Sequence, residues 1–186
     1  MLSQPQRHRG HGDTRNEALK TLCPLWHSSK IYRKVNMERT LVLVKPDGVQ
    51  RGLIGEVVSR LERRGLKLAA MKFMQMDRAK AEEHYGEHVD RPFFGGLVGF
   101  ITSGPLVAMV WEADGAVEIV RNTMGTTNPK DSPLGTIRGD LAVNIGRNLV
   151  HGSDGAESAQ REIALFFQPG EILDYARSND PWIIEP

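Results

Sequence analysis

Thr40-Leu41-Val42-Leu43-Val44-Lys45-Pro46-Asp47-Gly48 reads as a short strand that runs into a turn. Four aliphatic side chains in succession leave no polar position for a solvated face, so both faces of the strand are expected to be buried. Pro46 removes a ladder donor and Asp47-Gly48 supplies turn chemistry, which stops the strand. Immediately downstream, Leu53, Ile54, Val57, Val58 and Leu61 recur at helical spacing, with Glu56, Arg60, Glu62 and Arg63 on the opposite face and Gly65 as the stop. A buried strand followed by an amphipathic helix begins a sheet covered by helices, and the rest of the chain keeps the alternation. Leu66 to Met76 is predicted as a strand, Arg78 to Glu87 as a polar helix, Phe94 to Ile101 as a glycine-containing helix and Pro105 to Trp111 as a fully buried strand. Asp114 is expected to cap a helix that ends at Arg121. Gly125 to Asp140 is dense in Gly, Thr, Asn, Pro and Ser, a loop too long for a plain connection and therefore a functional segment. Ala156 to Glu162 reads as helix, Ile163 to Phe167 as strand and Pro169 to Arg177 as a last short helix. The fold class is α+β, one sheet covered by helices.

At 186 residues, 40% hydrophobic and 25% charged, the chain has the composition of one globular domain with some additional sequence. No apolar run reaches the roughly 18 to 20 residues of a spanning helix, and the run from Pro105 to Trp111 is broken by Glu112. The single cysteine, Cys23, excludes an intramolecular disulfide and a Cys-x-x-Cys metal or redox pair, which fits a reducing, cytoplasmic location. The net charge of +1 conceals an asymmetry. Residues 1–36 hold seven basic and two acidic side chains, a balance of +5, whereas the other 150 residues hold 17 basic and 21 acidic, a balance of −4. The acidic remainder disfavours a nucleic-acid-coating domain. Residues 1–36 lack apolar periodicity and are expected to form a basic, disordered extension, able to bind anionic surfaces or nucleic acid weakly. They are either upstream translated sequence, with Met37 opening the domain 37–186, or an organellar address; the acidic pair and weak amphipathicity favour the first.

Several nucleotide devices are absent. No Gly-x-x-x-x-Gly-Lys-Ser/Thr loop, Gly-x-Gly-x-x-Gly fingerprint or protein-kinase signature occurs. His84-Tyr85-Gly86-Glu87-His88 matches the His-x-x-Glu-His spacing of some zinc proteases, but Gly86 weakens the helix that would hold both ligands, and two solvated histidines are expected instead. The informative segment is Asn148-Leu149-Val150-His151-Gly152-Ser153-Asp154-Gly155. Apolar residues before His151 bury its backbone and small polar residues after it leave room beside the ring. A neutral imidazole is nucleophilic near pH 7, and a carboxylate that takes the proton of one ring nitrogen aims the lone pair of the other. On these residues alone, a histidine merely satisfied in a turn is an equally good reading.

Lys45-Pro46-Asp47-Gly48, Arg91-Pro92-Phe93-Phe94, Thr127-Asn128-Pro129, Gly135-Thr136-Ile137-Arg138-Gly139-Asp140 and Asn148 to Asp154, taken together and in this order, closely resemble the nucleoside diphosphate kinase family, from about Glu38 to Glu185. The resemblance implies a ferredoxin-like β-α-β-β-α-β sandwich with an antiparallel four-stranded sheet. It implies ping-pong transfer of the γ-phosphate of a nucleoside triphosphate, ATP included, to a nucleoside diphosphate, with broad base specificity. On it, His151 is the phosphorylated residue, Glu162 orients its ring with help from Ser153, and Tyr85 places a hydroxyl near the transferred group. Lys45 meets the γ-phosphate and a ribose hydroxyl, Asn148 shares the sugar contact, and Arg121, Thr127 and Arg138 hold the phosphates. Phe93, Leu97 and Ile145 form the base slot, and Asp154 helps position Mg2+, through water. A hexamer is implied, with Glu185 brought near a neighbour's base slot. Independently of the resemblance, Trp182, Ile183 and Ile184 make the tail too apolar for solvent and point to packing on a neighbouring subunit, the alternative being that these residues fold back onto their own chain. Gly155 stands where the family commonly has serine, which removes a hydroxyl and loosens the turn. A scaffolding protein that keeps the fold and binds partners through Gly125 to Asp140 is the alternative; the presence of both His151 and Lys45 favours the enzyme.

Overall fold

In a computed structural model, which describes residues 37–184, the apolar run becomes β1 (Glu38–Val44). Its alternation explains why the run is continuous. Val42 and Val44 face one buried cluster, Leu41 and Leu43 the other, so no position is left for a polar side chain. β3 (Pro105–Ala113) divides in the same way: Val107, Met109 and Trp111 face the first cluster, Leu106, Ala108 and Val110 the second. The four strands, with β2 (Lys67–Gln75) and β4 (Val150–Gly152), lie in the order β2-β3-β1-β4, and all three pairings are antiparallel. This is the ferredoxin-like α+β arrangement expected.

Helices cover both faces. The amphipathic stretch forms α2 (Ile54–Arg63), preceded by a single-turn helix, α1 (Pro46–Gln50), that follows the turn at Lys45. Val57 and Leu61 of α2 meet Ala116, Val120 and Met124 of α5 (Ala116–Met124) in the first cluster. On the other face lie Ala81 of α3 (Arg78–His84), Val98 and Ile101 of α4 (Phe94–Ile101) and Phe166 of α7 (Ala156–Phe166). The loop Gly125 to Asp140 holds a 3-10 turn, Pro129–Asp131, and the start of α6 (Ile137–Leu141), so it is ordered by its own hydrogen bonds.

Three sequence expectations are corrected. Ile163 to Phe167 is not a strand: α7 runs through Phe166, because Ile163 and Phe166 are one helical turn apart and both turn toward the second cluster. The fourth strand is instead the three residues around His151, too short for a period-2 signal. Asp114 does not cap α5; Gly115 does, in a left-handed conformation with φ of 71° that places no side chain on the helix. Pro169 to Arg177 shrinks to the 3-10 turn Pro169–Glu171, followed by an extended segment in which the Leu173 N–H donates to the Ala69 carbonyl. Arg177 ties this segment down by donating to the carbonyls of Leu66 and Gly65 and pairing with Asp180. The tail then splits. Ile183 lies against Gly65 of its own chain, whereas Trp182 is 89% exposed. Residues 1–36 and Glu185 lie outside the described residues. Among those described, no helix is long and apolar enough to cross a membrane.

Candidate active site

Three segments meet at the end of the sheet where β1 gives way to Lys45. The first is the β1–α1 junction. The second is the Thr127 to Arg138 loop. The third is the approach to β4, where Asn148 and Leu149 precede Val150 and His151.

The approach is held in an unusual backbone state. Leu149 has φ of 69° and no exposed surface; it is the one non-glycine residue with positive φ among the described residues. A side chain in the left-handed region costs about 1 to 2 kcal/mol, so the surroundings must over-determine it. They do. The Leu149 N–H donates to Asp47 Oδ2 at 3.0 Å, and the Lys45 N–H donates to the Leu149 carbonyl at 2.8 Å. A Cβ at Gly48 would lie 2.7 Å from Val44 Cγ1 and 3.2 Å from the Leu149 oxygen, so only glycine lets α1 approach this close. Asp47 thus anchors a turn 102 positions away, a contact that no local pattern announces.

Around the turn the polar groups converge. Lys45 Nζ donates to Asn148 Oδ1, and Asn148 Nδ2 donates to the Thr127 carbonyl at 2.7 Å. Arg138 donates to the carbonyls of Gly125, Asn148 and Val150 at 2.9, 3.4 and 2.8 Å. A guanidinium has five N–H donors, so these bonds fix the plane and leave donors for a ligand. Burial lowers the Lys45 pKa to about 8, with Asp47 opposing and Arg138 and Arg147 adding to the depression. Burial likewise takes Arg138 down to about 10, helped by the charge of Arg121.

His151, on β4 opposite Leu43, has 23% of its side chain exposed. Its Nε2 lies 3.1 Å from each carboxylate oxygen of Glu162 on α7. Ser153, fully buried, donates to Glu162 Oε2 at 2.6 Å and accepts the Leu41 N–H. Burial opposes ionisation of Glu162, but the hydrogen bonds from His151 and Ser153 outweigh it and hold the carboxyl below the usual range. A carboxylate accepts, so Nε2 carries the ring proton and Nδ1 keeps its lone pair.

Tyr85 is buried, its ring centroid 6.2 Å from that of His151, and burial pushes its hydroxyl pKa upward. Asp154 is exposed. Its Oδ1 accepts the Ser158 hydroxyl, which holds its pKa down together with the charges of Arg121 and His151. Ser158 Oγ also takes the Gly155 N–H at 3.0 Å, so the turn after Asp154 is tied from α7 despite the missing Gly155 hydroxyl. Phe93, just before α4, and Ile145 are 55% and 60% exposed, and Leu97, one turn along α4, is half-buried. Leu97 packs against the second cluster, to which Tyr85 belongs.

His84 departs from expectation. It was read as solvated, yet it is buried, its ring edge-on to that of His151 with centroids 4.6 Å apart. His88 is half-exposed beside Glu87, so the two do not form a metal pair. The ring sits on the buried side of α3, an orientation that the polar character of the surrounding helix hid.

An imidazole with one nitrogen tethered to a carboxylate and the other free, on a strand end adjacent to that of a lysine and an arginine held by buried polar groups, is chemistry for moving phosphoryl groups, and the class defined on this α+β frame is that of the phosphotransferases. The sequence model of nucleoside diphosphate kinase matches residues 38–172. A nucleoside diphosphate kinase of Synechococcus sp. (strain CC9902) is 60% identical over 148 residues, which are 80% of this chain and 98% of the relative. One of Natronomonas pharaonis is 61% identical over 149 residues, 80% of this chain and 97% of the relative. The solved structure of a halophilic nucleoside diphosphate kinase from Halobacterium salinarum in complex with CDP is 56% identical, with a TM-score of 0.77 over 80% of this chain and 99% of that one. The chain belongs to the nucleoside diphosphate kinase family, and like its relatives it is a phosphotransferase.

Proposed function

We propose that His151 carries the phosphoryl group between a nucleoside triphosphate and a nucleoside diphosphate, with Nδ1 as the attacking atom. The observation that carries this reading is the Nε2–Glu162–Ser153 chain. Attack forms the Nδ1–phosphorus bond and breaks the bond from the γ-phosphorus to the bridging oxygen, whose electron pair leaves with the diphosphate. Glu162 stabilises the ring as it becomes cationic. A second nucleoside diphosphate then takes the group through a terminal β-phosphate oxygen. Arg121, Arg138 and Thr127 hold phosphate oxygens, Lys45 meets the γ-phosphate and shares the ribose with Asn148, and Tyr85 directs its hydroxyl toward the transferred group. Arginine suits the phosphate positions because its fork engages two oxygens at once. Phe93, Leu97 and Ile145 offer apolar surface that any base can stack on, which supports broad base specificity. Asp154 has the donor type that Mg2+ prefers, an ionised, exposed carboxylate with room for intervening waters. Bound there, the ion would neutralise part of the triphosphate charge.

The working form in this reading is a homo-oligomer, a hexamer, in which exposed Trp182 packs on a neighbour. Residues 37–186 are the catalytic unit, and the basic residues 1–36 are dispensable for turnover. Cytoplasmic location fits the cysteine usage.

Incubation with γ-labelled ATP and magnesium is expected to place an acid-labile, base-stable label on the protein, which added dTDP discharges; excess chelator should prevent labelling. A label stable to acid, or turnover with no labelled protein, would overturn the phosphohistidine route.

Lys45 supplies a pH dependence. Because kcat/KM reports the free enzyme, it should fall as pH rises through about 8, where Lys45 loses its proton. Asp47→Asn keeps an oxygen for the Leu149 N–H and removes a negative charge beside the ammonium. The alkaline limb should therefore move to lower pH in this variant. A limb that stays in place would separate it from Lys45.

A further inference from the structure

The His84 side chain has no exposed surface, and neither of its ring nitrogens has a hydrogen-bond partner. Buried polar atoms are nearly always paired, so two orphans on one ring beside the reacting histidine require a reason. Its Nδ1 faces Glu162 Oε1 at 3.9 Å, and His151 Nε2 lies 3.1 Å from the same oxygen. One donor atom from each of His84, His151 and Glu162 falls within 4.8 Å of the others.

We propose that His84, His151 and Glu162 form a binding site for zinc or a similar borderline divalent ion, and that occupation of this site stops phosphoryl transfer. Two imidazoles and a carboxylate are a common three-residue zinc set. Bonds of about 2.0 to 2.2 Å in a tetrahedral site hold donor atoms roughly 3.3 to 3.5 Å apart. The His151–Glu162 separation of 3.1 Å is already close to this, the His84–Glu162 separation needs to close by about half an ångström, and the two imidazole donors, within 4.8 Å of each other, need to close by up to about 1.5 Å. Magnesium is not competitive here, since it is a hard ion that demands six oxygen-type ligands. Asp154 is not one of the three donors.

The chemical consequence follows from the ring. Zinc on His151 takes the Nε2 lone pair, so the ring proton moves to Nδ1 and the lone pair that would attack phosphorus is lost. Glu162 remains a carboxylate and no proton is released. The inhibitory half of this inference rests on His151 as the phosphoryl carrier; the binding half does not.

The test uses the full chain, metal-free and with 15N-labelled histidine, titrated with zinc chloride without nucleotide. One equivalent should move the ring-nitrogen resonances of His84 and His151 to metal-bound positions while those of His88 stay. In parallel, one equivalent should lower labelling by γ-labelled ATP and magnesium, and a zinc-selective chelator should restore it. His84→Gln and His84→Phe, each verified as folded by circular dichroism, should need about ten- to a hundredfold more zinc for the same loss. Unmoved His84 and His151 resonances in the wild-type protein would overturn the site whether or not the variants fold. Equal zinc sensitivity of wild type and variants would overturn it as well. Zinc bound to the three side chains with labelling intact would overturn the inhibitory half; whether His151 is the carrier is read separately, by the loss of label in zinc-free His151→Ala.

Discussion

Replacing His151 by alanine is expected to reduce phosphoryl transfer by more than about a hundredfold and to abolish the acid-labile label, with the fold retained. The size of the effect follows from the absence of a substitute. His84 is the nearest other imidazole, but its side chain is fully buried and cannot meet a substrate phosphate. The fold should persist because the His151 side chain is partly exposed and belongs to neither apolar cluster, while the β4 ladder to β1 uses backbone atoms only. The substitution does leave Glu162 with Ser153 as its main donor. A carboxyl held below its unfolded value of about 4.3 adds stability above that pH and loses it as the pH falls through the folded value. His151→Ala should therefore lose some stability at neutral pH and show a shallower fall in stability on acidification. Circular dichroism, an acid titration of the melting temperature, and single-turnover labelling check the three parts. Transfer retained above about one hundredth of wild type would remove His151 from the route.

The sheet was legible where burial was two-sided. β1 and β3 each hold an apolar run, Leu41 to Val44 and Pro105 to Trp111, because alternate residues feed two clusters, and α2 was legible because it has one wet face. β4 was not. Three residues carry no period, and Val150 and Gly152 are buried for different reasons: one is in the core, the other lets Met124 and Val120 approach its backbone. The end of α7 was misread because Ile163, Leu165, Phe166 and Phe167 make a dense apolar cluster, and a short dense cluster has no distinguishable period.

The site was legible in its motifs and opaque in its supports. Lys45 bonds Asn148, and His151 and Ser153 both bond Glu162, in two groups carried by neighbouring strand ends, since Val44 pairs with Val150. What the sequence could not reveal is that Leu149 takes a left-handed conformation, a state that leucine rarely adopts and that depends on Asp47, 102 positions away. His84 escaped for the same reason: its burial is decided by α7 and β4, not by its neighbours in the chain. In both cases the controlling contact is long-range and between side chain and backbone or ring and ring, for which local periodicity holds no information.

Gly139→Ala should be the most damaging single-methyl change at the loop. A Cβ at Gly139 would sit 2.1 Å from the Pro133 carbonyl oxygen, 2.8 Å from its carbon and 2.8 Å from Thr136 Oγ1. No rotamer relieves this, since two of the three atoms are backbone. The Pro133 carbonyl is itself engaged: it accepts the Thr136 hydroxyl at 2.6 Å, and Thr136 Oγ1 caps α6 by accepting the Gly139 N–H at 3.1 Å. Moving the carbonyl therefore breaks the cap as well as the turn. Overpacking of this kind costs about 3 kcal/mol, and loss of the cap about 1 kcal/mol more. The damage passes to the chemistry through Arg138, the adjacent residue, whose three carbonyl bonds join Gly125, Asn148 and Val150. With α6 displaced, the guanidinium plane is no longer set by those bonds, and phosphate binding and turnover should fall together. Gly95→Ala is the matching control, because nothing lies within 4 Å of its added Cβ in α4 and alanine is the better helix former. The comparison is read by thermal melting and by steady-state transfer on folded protein below the melting range. Gly139→Ala should melt well below wild type and lose activity even where folded, while Gly95→Ala should melt at or above wild type. Equal melting temperatures for the two variants would show that the Pro133 turn yields at no cost and that the loop does not fix Arg138.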